Sequence, residues 1–335
     1  MGRSPLATCR NRIFPEASME QAFQRMRDLD LQRCVIYFGF LAIFLFFGIT
    51  LYDDGFLTSR NLTNIVLQTA PATIMAIGLV FALSAGEIDL SFGSVVAVAA
   101  LSAAVAMQNG PMILGVAAGL GAGILIGAFN GALVAYLRLP SFLVTLATMG
   151  LFAGIARSMT DLRSIPVVNG TFNGVFGSGK LFGVPSLVIW TVIAVLIGHV
   201  IYRHTRFGAH VLAVGDNARA AQVSGIRVPR IRLLVLTLCG ATAGLAGLLY
   251  AGRIQAAKYT MGESDLMTVI AAVIVGGTAL NGGKGSIIGA LLGSLMMGML
   301  NNGLILMGLQ VSDQMIVRGL IILIAVAISL REIRR

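Results

Sequence analysis

The chain has 335 residues, of which 57% are apolar and only 11% charged, with a mean hydropathy of +0.88; a soluble domain carries roughly a quarter charged residues, so this composition argues against a soluble globular enzyme. The formal net charge of +10 does not mark a nucleic-acid binder, because the basic residues cluster between apolar spans, as they do in the cytoplasmic loops of membrane proteins. Three cysteines, Cys9, Cys34 and Cys239, are too few and too scattered for a disulfide framework or a metal site.

Residues 1–33 are polar, mixed in charge and without an early apolar stretch, which reads as a cytoplasmic segment rather than a cleaved signal peptide. A helix crosses the ~30 Å hydrocarbon layer in about 20 residues. On that measure ten candidate crossings follow, at 34–51, 65–84, 95–107, 113–137, 142–156, 187–202, 233–251, 266–280, 287–307 and 315–330. The third and eighth are short, and short or glycine-interrupted spans occur as broken or re-entrant helices. Residues 158–186, rich in Gly, Asn and Ser, read as an extracytoplasmic loop; 203–232 reads as a basic, partly helical cytoplasmic loop, and 331–335 as a cytoplasmic tail. Alternating the spans from a cytoplasmic N-terminus places seventeen basic residues inside and six outside, with Arg318 in the last span. That asymmetry puts both termini in the cytoplasm.

The fold class is therefore an all-α polytopic membrane protein with about ten transmembrane helices and a membrane domain over 34–330. Forty-one glycines suit close helix approach in lipid. A weak echo links 93–97 to 285–289 and 129–131 to 301–303. Inverted repeats are common in transporters, although Gly/Ser/Ala-rich helices also resemble one another by composition alone.

Three polar stretches stand out. In Ala85-Gly86-Glu87-Ile88-Asp89-Leu90-Ser91-Phe92-Gly93-Ser94 two carboxylates lie between apolar spans. At membrane depth such groups point to function. In a cytoplasm-facing break they are solvated, and Asp89 or Ser91 caps the helix beginning near Gly93. In the basic loop, Asp216 or Asn217 starts a short helix over 218–223 that Gly225 and Pro229 end. With Arg219, Ala220 and Ala221 it either docks in a partner's groove or is an ordinary amphipathic connector. The run 275–286 has the glycines of a phosphate loop, but Gly285 separates Lys284 from Ser286, so the Walker order is missing. A tight cytoplasmic turn is the better account.

Asn130, Asn301, Asn302, Gln314 and Arg318 could line a solute path or join helices by hydrogen bonds; Asp313 is a possible partner for Arg318. His199, His204 and His210 make no metal-ligand or nucleophile–base motif. No catalytic residues, metal or cofactor are expected. The chain has no nucleotide-binding motif of its own, so active transport would draw on an ion gradient or another subunit.

Several stretches in order resemble the inner-membrane permeases of ribose-type ABC importers, relatives of the branched-chain amino-acid permeases. They are Gly86-Glu87-Ile88-Asp89-Leu90-Ser91, Ala213-Val214-Gly215-Asp216-Asn217 with Ala220-Ala221 and Ser224-Gly225-Ile226, the run 270–278, Leu300-Asn301-Asn302-Gly303-Leu304, and Gln314-Met315-Ile316-Val317. The resemblance runs from about Phe56 to Leu330. It implies that the loop around Asp216, Asn217, Arg219, Ala220, Ala221 and Gly225 contacts an ABC ATPase. It also implies a periplasmic solute-binding protein, a second permease subunit and a place in the bacterial inner membrane, with a sugar or similar small polar solute as cargo. Arg219 stands where many importers have Glu, and Glu87 where the family has Gly. Glu87, Asp89, Ser91, Asn130, Asn301, Asn302 and Arg318 are the candidates for the path or its gating. The rival reading is an ion-coupled secondary transporter of a small polar solute, for which Glu87 or Asp89 would be the coupling carboxylate.

Overall fold

The computed structural model describes residues 36–108, 110–317, 319–321 and 323. The helices that carry the fold are α1 Ile36–Thr50, α2 Ser59–Ser84, α3 Phe92–Gln108, α4 Met112–Tyr136, α5 Ser141–Ser158, α6 Gly170–Asn173, α7 Ser186–His204, α8 Arg206–Asp216, α9 Ala218–Val223, α10 Val228–Ile254, α11 Asp265–Val275 and α12 Ile287–Leu306. Six of them (α2, α4, α5, α7, α10 and α12) are long and apolar enough to cross a membrane. Strand is confined to two-residue pairs: β1 Ile165–Pro166 with β4 Ala256–Ala257, and β2 Lys180–Leu181 with β3 Val184–Pro185. The chain is an all-α polytopic membrane protein.

Each of the first nine predicted spans coincides with a helix. The tenth begins in the helical stretch 311–317 and otherwise lies largely outside the described residues, as do 1–33 and the tail. Two boundaries differ for clear reasons. Pro229 does not end the short helix α9 but sits in the first turn of α10, where its missing N–H costs nothing. The eighth span ends at Val275 instead of 280, because Gly277 turns to φ +84° and its N–H bonds back to Ile274 O.

α2 runs through the centre, buried from Thr69 to Ser84 against α7, α8, α10, α11 and α12. Pro71 lies within it, and a proline there withholds the bond to the carbonyl four residues earlier. That carbonyl, on Leu67, instead accepts from the Arg253 guanidinium at 3.3 Å. Thr73 Oγ1 meets Ser294 Oγ at 2.6 Å, joining α2 to α12 by a buried hydroxyl pair. α4 and α10 pack antiparallel along glycines: a Cβ at Gly127 would strike the Leu236 carbonyl, and one at Gly131 the Leu233 carbonyl. The outer faces of α4, α5 and α7 stay exposed.

The first turn of the short helix α3 crosses the non-helical stretch that leads into the short helix α11. A Cβ on Gly93 would lie 2.7 Å from Gly262 O, and one on Gly262 would lie 2.5 Å from Gly93 O. Gly262 also has φ +81°, a conformation that side chains disfavour. The backbones touch there with no room for a side chain on either.

Candidate functional site

The loop after α7 is built by local bonds. Asn217 stands between α8 and α9, and its Oδ1 accepts from the Ala220 N–H at 3.0 Å, the N-cap bond that starts α9. Six residues later the helix stops. Gly225 adopts φ +87°, its N–H bonds to Gln222 O, and the Ile226 N–H bonds to Ala221 O, the paired bonds of a Schellman end. Between these stops α9 buries Ala221, at 4% exposure, and turns Arg219, Ala220, Gln222 and Val223 outward, Val223 at 89%. Asp216 and Asn217 are exposed beside them. Val223 was not singled out from the sequence; an aliphatic residue closing a small-residue helix was the signal available. Gly225→Pro is expected to unwind this loop, since proline cannot take φ +87° and removes a bonded N–H, at roughly 3 kcal/mol locally. Faster protease cleavage between α8 and α10 is the measurement.

The loop is clamped to the bundle at the end of α2. Gly215 packs on the Ser84 carbonyl with no space for a side chain, and the Gly283 N–H bonds to that same carbonyl at 3.0 Å. Ser84 Oγ meets Tyr202 OH at 2.8 Å. The run 276–286 is thus a tight turn folded onto α8, with Gly282 at φ +88° and Gly283 at φ +75°. The last turns of α2, α7 and α8 meet at one residue, Ser84.

The segment 85–91 begins at the same point. Gly86, at φ +79°, ends α2, and the Glu87 N–H bonds back to Ala82 O at 3.0 Å. The chain then runs extended, and α5 satisfies its backbone: Ser141 Oγ accepts from the Ile88 N–H at 3.1 Å, and Thr145 Oγ1 donates to Ile88 O at 3.0 Å. Glu87 and Asp89 are not solvated; they are 4% and 1% exposed. Glu87 Oε1 lies 2.7 Å from Arg232 Nε. The approach lies off the N–H axis, for Arg232 Nε has no hydrogen bond among the described residues, so the contact is an ion pair rather than a hydrogen bond. Asp89 Oδ1 accepts from the Ser91 N–H at 2.8 Å and from Ser91 Oγ at 2.7 Å, ahead of the positive end of α3, which favours a carboxylate. Asn130 Nδ2 on α4 donates to Ser91 Oγ at 2.8 Å, while its buried Oδ1 has no partner among the described residues.

Of the residues considered for a path, Glu87, Asp89, Ser91 and Asn130 come together. Asn302 lies near the other end of α2, where it exchanges amide bonds of 2.8 and 2.9 Å with Asn61, a partner that the sequence reading missed. Asn301, on the same helix, belongs to that end as well. The Arg318 side chain, and with it any pairing to Asp313, lies outside the described residues; Asp313 itself accepts from the Gln310 N–H at 3.1 Å. Among the described residues no three of His, Cys, Asp and Glu gather as a metal site would require.

Residues 61–326 match the family described as branched-chain amino acid transport system / permease component. The ribose import permease protein of Escherichia coli K12 is 39% identical over 281 residues, covering 83% of this chain and 88% of that protein. Its counterpart in Bacillus subtilis 168 is 37% identical, covering 88% and 92%. The xylose transport system permease protein of Escherichia coli K12 is 32% identical, covering 91% and 93%. No solved structure matches the chain.

Proposed function

The chain belongs to the branched-chain amino acid transport system / permease component family, and on that footing we propose that it forms the membrane path for a pentose-class sugar. It is the permease subunit of a sugar ABC importer, a multi-pass inner-membrane protein, and ATP hydrolysis belongs to a separate subunit. The pentose assignment follows the two kinds of relative, whose names specify ribose and xylose. The observation that carries the mechanism is α9: a short helix with stops at both ends, anchored by Ala221 and offering Arg219, Ala220, Gln222 and Val223 to a partner. We assign the ATPase contact to that face, with Asp216 and Asn217 at its edge and Gly225 shaping its end. ATP-driven closure then pulls on Gly215 and Ser84, and so on α2 and the segment 85–91.

In this proposal about ten helices span the membrane with both termini in the cytoplasm. A second permease subunit covers part of the exposed α4, α5 and α7 surface. The likeness of 93–97 to 285–289 and of 129–131 to 301–303 reflects two inverted halves. Glu87, Asp89, Ser91 and Asn130 act as a gating seam rather than as direct solute contacts, since their side chains are committed to one another, to Arg232 and to α3. Asn301 and Asn302 serve the opposite end, and Arg318 the last span.

Vesicles holding this chain, its ATPase and the solute-binding protein are the test. ATP-dependent uptake of labelled ribose or xylose, insensitive to ionophores, is the expected result. Uptake that follows an ion gradient without ATP would restore the secondary-transporter alternative.

A hairpin on the opposite face supports the binding-protein contact. Phe182 and Gly183 join β2 to β3 with φ of 52° and 80°, a turn that prefers Asn-Gly. A bulky aromatic there holds strain of about 1–3 kcal/mol, yet Phe182 is 97% exposed. The hairpin's base is firm, with Phe176 stacked on Trp190 at 5.2 Å and Trp190 Nε1 bonded to Val175 O at 3.0 Å. Phe182→Asn is expected to leave folding intact while weakening binding-protein affinity about tenfold, the effect of one lost aromatic anchor. Surface plasmon resonance on the reconstituted chain measures it.

A further inference from the structure

At the end of the bundle that carries the docking loop, α7 finishes beside the starts of α12 and α1, leaving a cavity of about 520 Å³. Its walls are of two kinds. One is apolar, formed by Ile36, Ile288 and Leu292, with the exposed Tyr37 ring at its edge. The other is a set of donors. Arg203, His199 and His204 come from the end of α7, the two imidazoles 5.9 Å apart. Among the described residues Arg203 forms no ion pair and no carboxylate lines the cavity.

The start of α12 adds to this set. The Gly289 N–H is taken by Ser286 Oγ and the Ala290 N–H by the Ser286 carbonyl, each at 2.9 Å. Among the described residues the N–H groups of Ile287 and Ile288, both cavity-lining, have no acceptor and are the orphan donors of the helix start. Basic residues in the last turn of α7 suit that helix's own dipole. That does not account for the orphan donors of a second helix or for the apolar wall beside them.

We propose that this cavity binds a phosphate group, and that its source is the headgroup of an anionic phospholipid. Arginine and free helix N–H groups recognise phosphate oxygens by charge-assisted bonds. The apolar wall of Ile36, Ile288 and Leu292 gives an acyl chain a place that free phosphate would not use. The location suits anionic headgroups, which enrich the cytoplasmic leaflet; this placement rests on the orientation in the proposed function. A bound headgroup would join the end of α7 to α12. Tyr202, in that same turn, holds Ser84, so the lipid braces the platform on which the docking loop sits.

Native mass spectrometry of the purified full chain, titrated with phosphatidylglycerol, phosphatidylcholine or inorganic phosphate, is the test. Phosphatidylglycerol adducts are expected to survive activation that strips phosphatidylcholine. Arg203→Gln is expected to lower their retention about fivefold, the effect of one cation near an anionic membrane surface, and Arg203→Lys to preserve it. His204→Gln, at a second exposed position, provides an independent variant, and thermal unfolding without lipid confirms that each variant is folded. Equal retention of the two lipids, or unchanged retention in both glutamine variants, overturns the site. Protection by inorganic phosphate as strong as by phosphatidylglycerol overturns the lipid as source. ATP-driven uptake in vesicles of phosphatidylcholine alone keeps the two questions apart: uptake without lipid preference overturns the lipid's bracing role and leaves the importer standing.

Discussion

Val223→Glu is expected to abolish ATP-driven uptake while the chain still folds and inserts. Val223 is 89% exposed and touches little of the bundle, so the change removes no core packing, and Glu suits a helix better than Val. The loss would therefore fall on the proposed contact with the ATPase. A charge placed in an apolar anchor position is expected to weaken binding by about 2 kcal/mol or more, about 30-fold. Co-purification of the ATPase and uptake should fall together, while Val223→Leu keeps both. Ala221→Glu would also stop transport, but for another reason. Ala221 is buried, and forcing a carboxylate under α9 unseats the helix, so this variant should gain protease sensitivity that Val223→Glu lacks. Normal uptake by Val223→Glu would remove α9 from the docking surface.

Gly262→Ala is expected to cause a large loss of stability from one methyl group. The alanine must hold φ +81°, at roughly 1–2 kcal/mol for an L-residue. Its Cβ would also lie 2.5 Å from Gly93 O and 2.9 Å from Val96 Cβ. Overpacking of that kind costs about 1–3 kcal/mol, and one of the two neighbours is backbone that cannot rotate away. Thermal unfolding in detergent should show a marked fall in midpoint, with a smaller fall for Gly93→Ala, whose clash is similar but whose φ is ordinary. Gly121→Ala and Gly150→Ala are the contrast. Both are helical with nothing within 4 Å of the added carbon, and alanine there should be neutral or stabilising by up to about 1 kcal/mol. A midpoint for Gly262→Ala equal to those controls would disprove the crossing.

What the sequence made legible follows from the range of each interaction. Hydropathy placed nine helices because each is apolar along nearly its whole length, a pattern carried by every residue of the segment. Asn217 and Gly225 were readable as the two stops of α9 because capping bonds reach only three to five residues. Ala221 was readable as part of α9 but not as its buried face, because the six-residue helix has too few turns to display a periodic stripe. Glu87 looked solvated because its partner, Arg232, lies far along the chain and is brought near only by the packing of α10 on α2 and α3. Asn61 and Asn302 are separated by 241 positions, and no local pattern links them. The pairing of Arg253 with Leu67 O had half a signal: Pro71 announces an orphan carbonyl four residues earlier, but not the side chain that finds it.

That last contact bears on how movement crosses the bilayer. α2 has 26 residues, about 39 Å of continuous rod at 1.5 Å each, gripped at one tip by Gly215 and Gly283 and near the other by Asn302. A rod so held would carry a push at the proposed ATPase side straight through, were it rigid. Pro71 sits midway, where one rung of the ladder is missing, and prolines are where helices bend. Arg253 ties off the carbonyl at that gap, so α10 fixes the fulcrum and each half of α2 becomes one arm of a lever. Tightening or releasing a single guanidinium would then change the gearing between the two sides of the membrane.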